Sequence, residues 1–467
     1  MPDENNRAPI TALLPQGGGH QFVLSGDSCS GVPDAPHEQT LARVNRVVSR
    51  IAPKPDFIIY PGDEVMGLTS DEAELRRQWA YFLDTEMAWL DADIPVYHST
   101  GNHTTYSTMS EQVFADVLSH LPRNGAAGQH GLSYFIRRDD LLIVFVHTLS
   151  QAMGGEGHLE TAWLDATLAE NDDARWKLVV GHHPAFPANG FEGPHQRTIG
   201  EDYVEAFWNI LKRHDVFAYL CSHLLLFDVQ VHDGILQILT AGSGTARRMP
   251  EGIEYLHCVQ AALDNDGLRY QVIDDEGRIR ERLTWPLRLP PYDEWMLLSK
   301  GKTAAPLQGY QDAAATTPAI LSLHFRGRAA ETGGPKQTFL AALDSATGTE
   351  PVWIGLTGKR QQLTVILQPY PNNSPHYWFG PDIGPGSEFD LQLLLHGGMG
   401  PGGLLWRQGD DARWSSLKHR SATGVEVINW PDNWHIGHGM EDEDRPFAGR
   451  ELAIRCHFQN QEGAVTP

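Results

Sequence analysis

The first part of the chain alternates short apolar runs with stretches of helical spacing. Phe22-Val23-Leu24 stops at Ser25-Gly26-Asp27, and Phe57-Ile58-Ile59-Tyr60 stops at Pro61-Gly62-Asp63. Residues 94–97, 141–146, 178–180 and 216–220 are further runs with the length and apolarity of buried strands. Between them, Leu41, Val44, Val47, Val48 and Ile51 recur at three- and four-residue spacing and predict a helix over 39–52. Helices are also predicted over 160–169 and 202–213, the latter turning Val204, Phe207, Ile210 and Leu211 inward. Strands alternating with helices predict a layered α/β domain.

The pattern changes after about residue 287. Residues 288–318 carry Pro pairs and Ala-rich polar text with little periodicity, and read as a linker. Beyond them, residues 321–325, 363–367, 389–395 and 452–454 are short strands between Gly- and Pro-rich turns. That pattern predicts an all-β sandwich over 319–467. At the other end, residues 1–19 read as a flexible arm closing on Gly17-Gly18-Gly19, which leaves 20–287 as the α/β domain. A chain of 467 residues exceeds the size at which one hydrophobic core stops growing, in keeping with two domains. No internal repeat is visible.

Composition narrows the partners. With 36 Lys and Arg against 59 Asp and Glu the net charge is −23, which repels polyanions at long range. Nucleic acid and an anionic membrane surface are therefore not expected partners. A small phosphorylated substrate stays compatible, because bound cations reverse the local field. No run is long and apolar enough for a membrane span, and the first residues lack the basic and apolar regions of a secretory signal, so a cytoplasmic location is expected. Cys29, Cys221, Cys258 and Cys456 are widely spaced and do not form a disulfide framework.

Candidate chemistry sits where the strands end. Asp27, Asp63, Asn102, His182 and His223 each follow an apolar run, and ligands in open α/β sheets bind at the carboxyl ends of strands. Taken singly, each has a plain reading: Gly62-Asp63 as a turn with a capping carboxylate, and Asn102-His103 as a turn beside a surface imidazole. His182-His183 before Pro184 could be a satisfied pair, Cys29 an inert buried thiol, and Leu224-Leu225-Leu226 makes the surroundings of His223 read as a buried strand. In order along the chain they become Gly26-Asp27-Ser28-Cys29, Gly62-Asp63, Gly101-Asn102-His103, Gly181-His182-His183-Pro184 and Ser222-His223-Leu224-Leu225. Five such elements at five strand ends suggest one convergent site.

This series resembles the calcineurin-like metallophosphoesterases, whose pattern is DxH, GD, GNH, a histidine before proline, and GHxH. The resemblance covers roughly residues 20–285 and implies a layered metallophosphoesterase-type β-sandwich flanked by helices, followed here by the all-β sandwich. It implies a pair of metal ions, iron, manganese or zinc, with Asp63 as the bridging carboxylate and catalytic centre. Asn102, His182 and His223 would complete the second metal site, while Asp27 would belong to the first. His103 would contact phosphate and protonate the leaving oxygen. The reaction implied is hydrolysis of a small phosphate monoester or diester by a metal-bound hydroxide.

Two departures stand out, both in the first metal site. Cys29 replaces the histidine of DxH, and Leu225 replaces the second histidine of GHxH. Cys29 as a thiolate would suit zinc or iron, and one ion instead of two is an open count. Asp228 and His232 lie downstream of Leu225 as replacements supported only by proximity in sequence. Two other readings follow from the altered site: a non-catalytic scaffold acting through the sandwich, and a mononuclear metalloenzyme for non-phosphate chemistry. The second domain is loosely similar to concanavalin- or laminin-G-like sandwiches. Its Trp406, Trp430 and Trp434 could stack on sugars or serve as core, and its acidic run 441–444 reads as a solvated loop before a calcium site.

Overall fold

The computed structural model describes residues 8–188, 198–244, 254–298, 319–368, 374–410, 412–419, 423–425, 428, 433–438 and 445–460. The chain forms two compact units whose main division falls between Pro286 and Leu287. The first contains β1 (Ile10–Thr11), β2 (His20–Leu24), α1 (Pro36–Val48), β3 (Ile51–Ala52), β4 (Phe57–Tyr60), α2 (Glu72–Tyr81) and β5 (Val96–His98). It continues through α3 (Thr108–Val117), β6 (Tyr134–Arg138), β7 (Leu141–Phe145), α4 (Thr161–Glu170), β8 (Trp176–Val180), α5 (Glu201–Arg213) and β9 (Ala218–Cys221). β10 (Phe227–His232), β11 (Ile235–Thr240), β12 (His257–Asp264), β13 (Gly267–Asp274) and β14 (Ile279–Trp285) complete it.

Two six-stranded sheets form its core, in the orders β10-β11-β9-β8-β7-β6 and β14-β13-β12-β2-β4-β5. β2, β4 and β5 run parallel, as do β7, β8, β9 and β11. Parallel strands are covered on both faces and so read as unbroken apolar runs; β4 and β7 are buried at every position. Helix α1 starts with Pro36 in its first turn, where a missing N–H costs nothing. Its Val44, Val47 and Val48 pack with Val23, Ile58, Cys258 and Ile273. This is the α/β architecture that the alternation predicts.

Several details differ from the pattern. Helix α1 ends at Val48, and Ile51 opens β3 instead of closing the helix. Residues 8–18 are not a free arm: Ile10 pairs with Ile51 in parallel, and Ala12 and Leu14 are buried. Residues 1–7 lie outside the described residues. Helices α2 and α3 show almost no apolar stripe, and their signals lie in capping. The Asp71 side chain accepts from the Ala73 and Glu74 amides, and Ser107 and Ser110 form a reciprocal capping box. Leu224, Leu225 and Leu226 form a bend between β9 and β10, not a strand.

The second unit is all-β apart from short 3-10 turns among its described residues. One sheet runs Met296–Leu297, Arg450–Asn460, Ala319–Arg328, Glu388–His396, Leu404–Gln408, Ser415–Ser416. The other runs Lys418–His419, His376–Asp382, Gln362–Leu367, Thr349–Thr357, Lys336–Asp344, Asn433–Ile436. Leu323, Phe325, Phe339, Ile354, Val365 and Leu393 lie in their shared core. The stretch read as a linker begins with structure, since Met296 and Leu297 pair with Cys456 and Arg455; residues 299–318 lie outside the described residues. Trp434 is a core residue, and Trp406 is partly buried and packs against that core. Trp430 and the acidic run 441–444 lie outside the described residues. No helix is long and apolar enough to cross a membrane among those described.

His396 ends a strand of this unit with its ring fully buried, its Nδ1 accepting from the Gly398 amide at 3.1 Å. Burial pushes its pKa down from 6.5 to about 4, so it is neutral when folded. The unfolded chain therefore binds the proton more tightly, and stability is lost as pH falls from 6.5 toward about 4. Urea unfolding followed by tryptophan fluorescence should show about 2 kcal/mol less stability of this unit at pH 5 than at pH 7.5 from this group. His396→Asn should remove that part of the pH dependence; an unchanged profile would rule out His396 as its source.

Candidate metal centre

Five loops at the carboxyl ends of parallel strands build one site. Asp27 follows β2, Asp63 follows β4, Asn102 follows β5, His182 follows β8 and His223 follows β9. Backbone pairing continues past the strands, with Asp27 N donating to Gly62 O at 3.1 Å and Cys29 N to Asp63 O at 2.8 Å. Ser222 N donates to His182 O at 2.9 Å. Asp27, Cys29, Asp63 and His223 all have positive φ, at 56°, 43°, 57° and 76°. Such conformations cost on the order of 1–3 kcal/mol each and persist where surrounding structure imposes them. Two glycines make room: Gly62, at φ 104°, would place a Cβ 2.7 Å from His182 Nδ1, and a Cβ on Gly101 would overlap the Asp63 carboxylate.

At the centre, four polar atoms from four loops converge. His182 Nε2 lies 3.1 Å from Asp63 Oδ2 and 3.0 Å from Asn102 Oδ1. His223 Nδ1 lies 2.8 Å from Asn102 Oδ1 and 3.1 Å from His182 Nε2. These spacings are a little under the roughly 3.3 Å edge of a tetrahedron with arms of about 2.0 Å, the length of a zinc–imidazole bond. Two oxygens and two imidazole nitrogens aimed at one point make the mixed N/O donor set of a metal site. A cation satisfies them together, so these residues fit a metal ion.

The electrostatics agree. Burial works to raise the Asp63 carboxyl, but the charge and hydrogen bond of His182 outweigh it and hold it below the usual carboxylate range. Burial works to lower His182, and Asp63 outweighs it in turn, raising the imidazole. His182 Nδ1–H donates to Pro61 O at 3.0 Å, which fixes the ring and directs Nε2 inward. That is the outer-shell contact typical of metal-binding histidines. The His183 ring packs 4.5 Å from that of His223, with its Nδ1 against Thr148 Oγ1 at 2.9 Å.

The remaining expected residues divide. Cys29, Asp63 and His103 place a sulfur, a carboxylate oxygen and an imidazole nitrogen within 4.8 Å of one another. His103 N donates to Asp63 Oδ1 at 2.8 Å, and its Nδ1–H donates to Met66 O at 2.7 Å. Asp27 belongs to neither ligand group among the described residues. Its Oδ2 accepts from the His223 amide at 2.9 Å and from the Ser222 hydroxyl. Burial raises the Asp27 carboxyl; the charge of His182 opposes this, and Asp63 adds to it. Neither Asp228 nor His232 joins either group, so neither replaces the histidine missing at Leu225.

Sequence reasoning missed Ser222, although the serine stands where GHxH has glycine and was visible as a departure. It also missed a buried layer beneath the loops. Glu64 Oε1 meets His98 Nδ1 at 2.9 Å, with burial raising the carboxyl well above its usual range and lowering the imidazole to about 3. His147 bridges Thr100 Oγ1 at 2.7 Å and Glu111 Oε1 at 2.9 Å. No spacing rule marks such groups, because their partners are distant in sequence.

Residues 20–226 match the family model for calcineurin-like phosphoesterases. No curated protein matches the chain. Among solved structures it is similar to a purple acid phosphatase from yellow lupin seeds, at 13% identity and a TM-score of 0.43. That match covers 56% of this chain and only 53% of the lupin chain. A dimetal phosphatase from Danio rerio is similar at 16% identity and a TM-score of 0.37, over 55% of this chain and 97% of that one. A carbohydrate-binding module, CBM40, of a Ruminococcus gnavus sialidase is similar at 12% identity and a TM-score of 0.24, over 35% and 89%.

Gly101→Ala should displace the Asp63 carboxylate without unfolding the domain. Calorimetric titration with zinc or manganese should show affinity falling by about 10–100-fold while far-ultraviolet dichroism stays unchanged. Unaltered affinity would mean that Asp63 does not hold the ion.

Proposed function

Because residues 20–226 are a calcineurin-like phosphoesterase domain, we propose that the protein hydrolyses a small phosphate monoester or diester at a cation held by Asp63, Asn102, His182 and His223. The convergence of those four side chains within 2.8–3.1 Å contacts carries the reading. A bound cation supplies charge neutralisation on the phosphoryl oxygens and makes a coordinated water acidic. The chain's own contribution is placement. Asp63 is kept anionic by His182, the Pro61 carbonyl orients His182, and the Asp63 carboxylate fixes the His103 backbone beside the reacting position.

A small substrate suits the charge. At −23 the protein repels extended polyanions, while one phosphoryl group meets a locally positive centre once the cation is bound. None of the four cysteines is in a disulfide, which suits a reducing compartment, and we assign the protein to the cytoplasm. The same residues could serve a non-phosphate reaction, and a phosphoester panel separates the two.

The test is hydrolysis of p-nitrophenyl phosphate and bis-p-nitrophenyl phosphate by protein loaded with iron, manganese or zinc. Asp63→Asn and His182→Ala should each lower kcat/KM by roughly a hundredfold or more and reduce bound metal. Turnover that survives both substitutions, or that is equal in chelator-treated protein, would sink the proposal.

A further inference from the structure

We propose that this chain has rebuilt the first of the family's two metal positions as a soft site of Cys29, Asp63 and His103, with Asp27 withdrawn from metal binding by Ser222. The inference rests on the phosphoesterase reading and deepens it by naming the ligands and metal class of its altered half.

Four observations carry it. The three donor atoms already stand within 4.8 Å of one another, and Asp63 is common to this group and to the Asp63–His182–His223 group. One carboxylate reaching two ligand sets is the geometry that a bridged pair requires.

His103 is pinned as His182 is pinned. A carbonyl oxygen can only accept, so Met66 O takes the Nδ1–H of His103 and Pro61 O takes that of His182. With Nδ1 committed in this way, Nε2 is the nitrogen of each ring left for coordination. The His103 backbone is held as well, through its amide on Asp63 Oδ1 and its carbonyl, which accepts from Leu68 N at 3.0 Å. A group so fixed suits coordination better than delivery of a proton to varied leaving groups.

One oxygen of Asp27 is engaged by its own chain. Its Oδ2 meets both the Ser222 hydroxyl and the His223 amide, and the same hydroxyl oxygen lies 2.8 Å from Thr240 O. With glycine at 222, as in the GHxH pattern, the hydroxyl contact would vanish and that oxygen would be freer to turn toward a metal. Leu225 offers no donor atom, so the two losses in the family set and the seal on Asp27 fall on the same position.

The Cys29 loop is also secured. A π turn, Phe82–Glu86, presents Glu86, whose carboxylate accepts from the Ser30 hydroxyl and, at 2.9 Å, from the Gly31 amide. Single π turns recur at functional sites, and this one anchors the residues directly after Cys29. Thiolate, imidazole and carboxylate together favour zinc or ferrous iron over manganese or magnesium.

The experiment is a cobalt(II) titration of the full chain after chelator treatment, read by near-ultraviolet thiolate-to-cobalt absorption and by bound equivalents. Two equivalents are expected, one of them bringing the thiolate band. Cys29→Ser should remove the band and that equivalent while keeping the other, and His103→Ala should weaken the same equivalent by about 10–100-fold. Asp27→Asn should leave both. Two equivalents without a thiolate band, a band indifferent to His103→Ala, or loss of that equivalent in Asp27→Asn would each overturn the inference. One equivalent without the band would overturn it while leaving the hydrolase reading standing on His182 and His223. No bound cobalt would sink both.

Discussion

The buried charge of Asp63 is the constraint around which the first unit is arranged. An ionised carboxylate out of water is unfavourable unless donors or cations surround it. Here the His182 imidazole, the His103 amide and a left-handed backbone at Asp63 itself all serve that one group. The neighbouring loops are shaped to it, with glycine required at 62 and 101 because side chains there would collide with the cluster. The parallel strands of the two sheets supply rigidity by ending at the same place.

Most of the site was legible because each of its residues follows a buried apolar run. Asp63 after Phe57–Tyr60 and His182 after Trp176–Val180 are clear in this sense, since β4 is wholly buried and β8 nearly so. His223 was harder, because three leucines follow it and mask the bend that turns its ring inward. Asp27 was assigned to metal on motif order alone, and only geometry reveals that serine and backbone donors occupy it. Spacing says which residues gather; it does not say which atoms are already satisfied.

The fold was read unevenly for related reasons. Helices α2 and α3 bury too few apolar side chains to show a stripe, and β12 to β14 include buried glutamines that break the strand signal. Gln271 donates to Gln260 Oε1 at 2.7 Å, and Gln260 donates to Thr11 O at 3.0 Å, so polar residues sit inside by pairing with each other and with β1. In the second unit the tryptophans were ambiguous between ligand contact and core. Burial resolves Trp434 in favour of packing, while Trp406 is partly buried against the same core.

The backbone ladder that runs beyond the strand ends has a consequence for when a metal-binding geometry can form. The candidate ligands are spread from Cys29 to His223 and meet only when both sheets are complete. Pairings this distant in sequence form late, after local helices and hairpins. A nascent or partly folded chain thus presents isolated histidines and carboxylates but no multidentate grip. Selection of the cation is deferred to the finished domain, where geometry, and not whichever ion first meets the ribosome-bound chain, decides what is retained.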